Sequence, residues 1–288
     1  MFFIDGVGIG ERNEYNPLAQ AEGLEPLNNF LGENKDIFLG GILVPTDTRL
    51  GVDGRPQSAS GQTAIYTGLN APQLNGGHKH GFPNEKLREI IKESSIFLQL
   101  KKMGIEDSVF VNAYVSKLLG KRPRWKSATT CAVEAADMKF RTLPDLLGRK
   151  AIFHDFTNRS LIEYGLDVPE FSPVDAAEIL ADIASGHRFT LYEHFITDKI
   201  GHDQDLKRAQ THLPELAEFI RQTLCRIDFR RTTFILTSDH GNIENLSIRN
   251  HTLNNVPTII WGRKSREIAD QISDLTHITP AITKLLST

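Results

Sequence analysis

Hydrophobic and polar positions divide this chain into two kinds of segment. Short apolar runs rich in β-branched and aromatic residues predict strands, while apolar positions spaced every three or four residues predict helices. The predicted strands cover 2–4, 38–44, 109–115, 150–156, 188–197, 232–238 and 256–262. The clearest helical pattern covers 206–227, and a last helix is predicted over 277–286.

The alternation of strands with helices predicts an α/β fold. We expect a mostly parallel sheet sandwiched between helices, because parallel strands need helical crossovers that cover both faces. A single domain over 1–288 is expected, with a small cap or lid inserted at 116–150. That stretch is the least sheet-like part of the chain, with a basic run followed by small residues. In such folds, ligands bind beyond the carboxyl ends of the strands.

Acidic residues and histidines follow three of the predicted strands. The candidate metal ligands are Asp5, Asp198, His202, Asp239, His240 and His251. Carboxylates and imidazoles suit zinc, manganese or iron at sites that keep open positions. Six such ligands are enough for two ions with three protein ligands each. The sequence therefore predicts a two-metal site at one edge of the sheet.

The segment "SASGQTAIYTG" at 58–68 runs from small hydroxyl residues into an apolar, helix-like stretch. Ser58 would then lie at a helix N-terminus, where the dipole and free N–H groups favour an anion such as phosphate. A serine beside a divalent metal can ionise and attack phosphorus. Ser58 is accordingly the candidate nucleophile.

Each candidate also has an ordinary structural interpretation. Asp5 fits a plain Asp-Gly turn, Asp198 fits a helix N-cap, and His251 fits a loop before a proline. Ser58 could simply cap a helix, and Ser60 competes with it for the role of nucleophile. Any one of these residues alone is weak support for a metal site, so the hypothesis depends on their occurring together.

Composition and charge narrow the function classes. The 288 residues are 40% hydrophobic and 24% charged, as in an ordinary globular protein, and the net charge is −3. Such a balance does not favour nucleic acid as a partner. No apolar run approaches the length needed to span a bilayer, so no membrane partner is expected. Two cysteines without a metal-type pair and no signal-peptide pattern predict a cytoplasmic protein with free thiols.

Taken together, these segments resemble the alkaline phosphatase superfamily of metalloenzymes. The motifs are "FIDG" at 3–6, "SASGQTAIYTG" at 58–68, "DKIGH" at 198–202, "SDHGNIE" at 238–244 and "NHTLNNVP" at 250–257. Within the superfamily, the closest likeness is to cofactor-independent phosphoglycerate mutase and phosphopentomutase. Each motif alone is weakly specific, but five in the same order over the whole core are strong.

The resemblance implies a ligand set and a reaction type. It assigns Asp5, Ser58, Asp239 and His240 to one metal and Asp198, His202 and His251 to the other. It implies that Ser58 is the nucleophile, because Gly61 and Gly68 follow it at the spacing of the family motif. Manganese or zinc is the expected metal, with magnesium and iron as alternatives. The expected activity is hydrolysis or transfer of a phosphoester of a small phosphorylated substrate, through a phosphoserine intermediate.

The chain departs from the phosphoglycerate mutase pattern in one respect that bears on activity. It is too short for the large inserted domain of that mutase, so hydrolysis is favoured over transfer. A small phosphomutase remains the alternative, as does a relative that binds metal without catalysis. The arginines and lysine with which the mutase binds its substrate find no counterpart here. A basic run could bind an anionic substrate or form a solvated face: Lys117, Lys121, Arg122, Arg124 and Lys126.

Overall fold

The computed structural model describes residues 1–115 and 125–287. The strands are β1 Phe2–Ile4, β2 Ile42–Thr46, β3 Ser108–Phe110, β4 Ala113–Tyr114, β5 Arg141–Thr142, β6 Phe189–His194, β7 Thr233–Thr237 and β8 Val256–Gly262. The described α-helices are α1 Ser58–Thr67, α2 Ala71–Asn75, α3 Glu85–Ser94, α4 Ile96–Lys102, α5 Ala128–Ala135, α6 Leu143–Leu147, α7 Arg159–Glu163, α8 Pro173–Ser185, α9 Ile196–Asp203, α10 Leu206–Arg226, α11 Ser265–Ala269 and α12 Ile278–Leu286. Short 3-10 helices lie at Pro17–Ala19, Phe38–Gly40 and Leu275–His277.

Six strands form the main sheet, in the order β2-β8-β7-β1-β6-β3. The central strand β1 is parallel to β6 and β7, and β3 is parallel to β6. Strand β8 runs antiparallel to both of its neighbours, β7 and β2. The predicted α/β fold with a mostly parallel sheet between helices is thus confirmed.

The central strand β1 is buried on both faces, which explains why it reads as an unbroken apolar run. Its side chains alternate between two cores, as the pleat requires. Phe2 packs against Phe219 of α10 on one face, with ring centroids 5.3 Å apart. Phe3 packs against Tyr66 of α1 on the other face, at 5.9 Å. Packing on both sides fixes the carboxyl end of β1, where Asp5 follows.

The helix predicted at 206–227 is present as α10, Leu206–Arg226, and packs against α8. Its buried positions recur every three or four residues, as the pattern indicated: Ala209, Leu213, Leu216, Ile220 and Leu224. Helix α8 begins at a capping box, in which Ser172 and Asp175 satisfy each other's backbone N–H groups. These two helices cover the face of the sheet that holds Phe2.

Four of the predicted strands differ from the observed ones. The run at 38–44 begins with a short 3-10 segment in which Leu39 and Gly40 take positive φ angles, so the strand starts only at Ile42. The run at 109–115 divides between β3 and β4, and 188–197 ends early because α9 begins at Ile196. The run at 150–156 forms turns, with a single bridge from Ile152 to Asn112.

The cap predicted at 116–150 stays a prediction. Residues 116–124, which hold most of the basic run, lie outside the described residues. In the described remainder, α5 packs against α1, α3 and α4 as part of one core. Strand β5 pairs with β4 in a small second sheet.

Candidate metal centre

The carboxyl ends of β1, β6 and β7 meet at one edge of the sheet because the three strands are parallel neighbours. Asp5 follows β1 directly, and Asp239 and His240 follow β7. Helix α9, which follows β6, carries Asp198 and His202 one turn apart. His251 comes from the segment that joins β7 to β8. The structure therefore brings all six predicted ligands to one region.

The first group of ligands surrounds the imidazole of His240, which is fully buried. Its Nε2 lies 3.2 Å from Oδ1 of Asp5 and 3.6 Å from Oδ2 of Asp239. The hydroxyl oxygen of Ser58 lies 2.9 Å from the same nitrogen. Ser58 is the first residue of α1, so the N-terminus of that helix points at the group. The predicted set for the first metal thus lies within 3.6 Å of one imidazole nitrogen.

Ser58 and Ser60 have different environments, which bears on the choice of nucleophile. The Ser60 hydroxyl donates to the carbonyl of Gln57 at 3.2 Å and accepts the backbone N–H of Lys79 at 3.0 Å. It is fully buried and occupied by backbone partners. Ser58 instead contacts His240 of the ligand group. This geometry favours Ser58.

The second group consists of Asp198, His202 and His251. Nε2 of His202 lies 3.3 Å from Oδ2 of Asp198, and Nε2 of His251 lies 3.5 Å from Oδ1. The two Nε2 atoms are 3.1 Å apart. The ring of His251 also stacks on that of His240, with centroids 3.6 Å apart, so the two groups adjoin.

Backbone carbonyls orient the two imidazoles of the second group. Nδ1 of His202 donates to the carbonyl of Arg249 at 2.8 Å, and Nδ1 of His251 donates to that of Pro56 at 2.8 Å. A neutral imidazole with its proton on Nδ1 offers a lone pair on Nε2. Both lone pairs therefore converge with the Asp198 carboxylate, which is the arrangement a cation requires.

Burial or the neighbouring charges raise the pKa values of three residues of the first group. Burial and the neighbouring carboxylates Asp239 and Asp198 raise the pKa of Asp5, and burial likewise raises that of Asp239. Burial alone would lower the pKa of His240, but Asp239 and Asp5 outweigh it and raise the value to about 10. Crowded buried carboxylates are costly, and a divalent cation between them would offset that cost.

Several residues that sequence reasoning missed support the ligands. The side-chain amide of Gln62, one turn along α1 from Ser58, donates to Asp5 and Asp239 at 3.1 Å each. The side chain of Asn242 donates to Oδ1 of Asp198 at 2.6 Å. Gln62 lies four residues after Ser58, on the same helical face, and this spacing was the available signal.

Glu244 ties together the segments that carry the ligands. Its buried carboxylate accepts the backbone N–H groups of Gly8 at 2.9 Å and Asn242 at 2.8 Å. It also accepts the Thr252 hydroxyl at 2.5 Å, next to His251. Gly241 has no positive φ, so its backbone conformation does not require glycine. A Cβ there would lie 2.1 Å from Oε1 of Glu244, so glycine is required for space.

A further buried carboxyl lies behind the site. Glu193 on β6 is buried, and that burial raises its pKa to about 7. A hydrogen bond with Thr129 counteracts part of the rise, and the charge of Asp239 adds to it. No periodic pattern identifies this residue, because an acidic residue inside an apolar strand run is read as a solvent-facing position.

The donor atoms fit divalent metals. Among the described residues, Asp5, Asp239 and His240 offer ligand atoms close enough to share an ion, and so do Asp198, His240 and His251. His240 belongs to both groups in this geometry, whereas the sequence placed His202 in the second. Oδ1 of Asp5 and Nδ1 of His240 are buried without a hydrogen-bond partner among the described residues. Carboxylate oxygens and imidazole nitrogens with unused lone pairs suit zinc or manganese.

Comparison with known proteins bears on this site. Residues 158–288 match the family described as the metalloenzyme superfamily. The matched range contains five of the predicted ligands: Asp198, His202, Asp239, His240 and His251. The match supports the resemblance to the alkaline phosphatase superfamily of metalloenzymes, and it suggests a metal-dependent enzyme. No curated protein matches the chain in sequence.

Solved structures show the same fold over nearly the whole chain. The PH0037 protein from Pyrococcus horikoshii has a TM-score of 0.56 at 13% identity, covering 99% of this chain and 96% of that one. Alkaline phosphatase from the Antarctic bacterium TAB5 has a TM-score of 0.50 at 14% identity, covering 99% and 97%. The lipoteichoic acid synthase LtaP from Listeria monocytogenes has a TM-score of 0.52 at 11% identity, covering 100% and 71%. At these identities the likeness shows the fold alone.

None of the helices described within 1–115 and 125–287 is both long and apolar enough to cross a bilayer.

Proposed function

We propose that this protein is a two-metal phosphoester hydrolase in which Ser58 is the nucleophile. The observation that carries the proposal is the position of Ser58 at the N-terminus of α1, with its hydroxyl 2.9 Å from Nε2 of His240. A nucleophile, a helix N-terminus that favours phosphate and a set of metal donors meet at this point. The expected substrate is a small phosphorylated molecule.

The residues would hold two divalent cations. Asp5, Ser58, Asp239 and His240 would bind one, and Asp198, His202 and His251 would bind the other. Manganese or zinc fits these donors best, and magnesium or iron is the alternative. When bound, such ions lower the pKa of a hydroxyl group and offset negative charge on a phosphoryl group.

The chemistry of the protein residues follows from this arrangement. The Ser58 oxygen attacks phosphorus, the bond from phosphorus to the ester oxygen breaks, and the alcohol leaves with a proton that replaces the one lost by serine. Water then attacks the phosphoserine, which releases inorganic phosphate and regenerates the hydroxyl. The N-terminal N–H groups of α1 face the negative charge on the phosphoryl oxygens.

Hydrolysis is favoured over transfer to a second substrate because water reaches the second group of ligands. The side chain of His202 is 31% exposed and that of Asp198 is 15% exposed. The chain of 288 residues is also too short for the large inserted domain of phosphoglycerate mutase. A mutase must keep water from its phosphorylated intermediate, and this open geometry does not.

The test is hydrolysis of 4-nitrophenyl phosphate by metal-stripped protein refilled with manganese or zinc. We expect metal-dependent release of inorganic phosphate that falls about 10⁴-fold or more in Ser58→Ala, because the nucleophile is lost. Ser60→Ala is the matched control and should keep most of the activity. Turnover that survives Ser58→Ala and disappears in Ser60→Ala would assign the nucleophile to Ser60. No metal-dependent turnover by the wild-type protein would contradict the hydrolase proposal.

A further inference from the structure

A glycine-rich loop after α2 approaches the open side of the metal centre. The loop, "GGHKHGF" at 76–82, places the ring of His80 6.3 Å from that of His251 and 6.4 Å from that of His202, measured between ring centroids. His80 is exposed, in contrast to His251, which is buried. An exposed imidazole at the mouth of a buried ligand cluster is positioned to meet a molecule that enters from solvent.

Polar contacts fix this loop relative to Ser58. The backbone N–H of Lys79 donates to the Ser60 hydroxyl at 3.0 Å, within the first turn of α1. At the base of the loop, the side chain of Asn75 donates to the carbonyl of Gly77 at 2.9 Å, and Asn84 donates to Asn75 at 2.8 Å. The loop is therefore tied to the helix that carries the candidate nucleophile.

Two positively charged side chains, those of Lys79 and Arg55, lie on the segments beside His80 and His251. The Nζ of Lys79 donates to the carbonyl of His80 at 3.2 Å. On the neighbouring segment, Nη1 of Arg55 donates to the carbonyl of His251 at 2.7 Å, while Arg55 is exposed. A guanidinium has five N–H donors, so Arg55 keeps donors for a ligand. The rim thus complements an anionic substrate such as a phosphate ester.

We propose that His80 contacts the substrate, donating a hydrogen bond from its imidazole to an oxygen of the phosphate group, and that the loop 76–82 forms one wall of the active site. The inference rests on the proposed function, since it names a further residue for the same reaction. His80 is absent from the groups of donor atoms close enough to share an ion. His202 is absent from them as well, so bound metal is measured beside phosphate affinity to separate a contact with substrate from a contact with metal.

The variants for the test are His80→Ala and His80→Gln, with His187→Ala as the control. His80 and His187 are both histidines outside the buried ligand groups, but His187 lies next to the start of β6, at the opposite end of the sheet. Because His80 is exposed, its replacement should leave the melting temperature close to that of the wild type. Three quantities are measured: bound metal per chain, the Kd of inorganic phosphate for the metal-loaded protein, and kcat and KM for 4-nitrophenyl phosphate.

We expect His80→Ala to keep the full metal content but to raise the Kd of phosphate roughly tenfold or more, because a hydrogen bond to a charged group is lost. kcat/KM should fall by a similar factor. His80→Gln should recover part of the affinity because its amide also donates, and His187→Ala should behave as the wild type.

Three results would overturn the inference. Unchanged phosphate affinity and kcat/KM in His80→Ala would show that His80 does not touch the substrate. Loss of bound metal in His80→Ala would make His80 a metal ligand. Phosphate that does not bind the metal-loaded wild-type protein would remove the basis for the contact. If Ser58→Ala is inactive while His80→Ala is fully active, the hydrolase proposal stands and this inference fails. If phosphate binding depends on His80 but the wild-type protein shows no turnover, this inference stands and the hydrolase proposal fails.

Discussion

This molecule contains two clusters of histidines, and they differ in their partners. At the metal centre, His202, His240 and His251 lie among the carboxylates of Asp5, Asp198 and Asp239. In the second cluster, His154, His194 and His212 lie against aromatic rings. His194 and His212 are stacked with their Nε2 atoms 2.9 Å apart, and Nδ1 of His194 donates to the carbonyl of His154 at 2.9 Å.

The partners decide what burial does to an imidazole. At the candidate metal centre, carboxylates raise the pKa of His240 to about 10 despite its burial, whereas burial and the charge of His240 lower the pKa of His251 to about 3. In the aromatic cluster, burial lowers the pKa of His212 to about 4 and that of His154 to about 3. The pKa of the fully buried His194 is also lowered, first by burial and then by the charge of His212. Histidines in proximity are therefore not evidence for a metal site unless negative charge converges with them.

The same comparison applies to two dipeptides that look alike in sequence. Asp239-His240 presents both side chains to the ligand group. In His154-Asp155, the Asp155 carboxylate accepts the backbone N–H groups of Asn158 and Ser160, at 2.9 and 2.7 Å. Asp155 thus organises the turn before α7, and its role is structural.

The largest expected effect is the difference between replacing Asp239 and replacing Asp155. Asp239→Asn should abolish turnover and remove one equivalent of bound metal, because a carboxylate that bears the charge of the site becomes neutral. Asp155→Asn should keep both and cost about 1–2 kcal/mol of stability, since one of two hydrogen bonds weakens. The measurements are metal content, turnover of 4-nitrophenyl phosphate and the free energy of unfolding. Normal turnover in Asp239→Asn would contradict the assignment.

The second prediction concerns the aromatic cluster and pH. The pKa of His194 is below the unfolded value of about 6.5, so the unfolded chain binds more protons in this range. In the metal-free protein, the contribution of these neutral imidazoles to the free energy of unfolding should be fully present above pH 6.5. It should fall as pH decreases, by about 1.4 kcal/mol per pH unit for each buried imidazole.

The variant that isolates this effect is His212→Gln. Its free energy of unfolding is measured by denaturant titration between pH 6.5 and 4.5. The slope of this free energy against pH should be smaller than that of the wild type by the equivalent of about one proton. His277→Gln, which replaces a half-exposed histidine elsewhere, is the control. An identical slope in wild-type protein and in His212→Gln would show that the pair does not stay neutral in the fold.

The smallest predicted effect is at Gln62, which bridges Asp5 and Asp239. Gln62→Ala should weaken metal binding roughly tenfold to 100-fold, as removal of a partner that orients ligands generally does. The check is a metal titration by calorimetry, with Gln73→Ala on the exposed face of α2 as control. Equal affinity in both variants would mean that the ligands are held in place without Gln62.

Much of the fold and the ligand set could be predicted because the relevant signals are local. Apolar runs such as Phe2–Ile4 indicate buried parallel strands, and the spacing of Leu213, Leu216 and Ile220 indicates an amphipathic helix. Polar residues directly after such strands meet at one edge by the geometry of a parallel sheet. Asp5 and Asp239 were expected at one edge for this reason, and their assignment as metal ligands stays a prediction.

The remaining features depend on contacts between distant segments. Glu244 joins Gly8 to Thr252, and nothing in its local sequence indicates those partners. The need for glycine at position 241 cannot be read from the local sequence, because it is set by the space that Glu244 occupies and not by the backbone angles of Gly241. His80 reads as an ordinary surface histidine until the loop at 76–82 is folded against α1.

The most direct test of the central claim is the number of divalent ions that the protein binds. Metal-stripped protein would be titrated with manganese or zinc by calorimetry, and the bound metal then measured by elemental analysis after gel filtration. Two donor groups predict two ions per chain in the wild type and one fewer in Asp239→Asn. Retention of no metal by the wild-type chain would contradict the account.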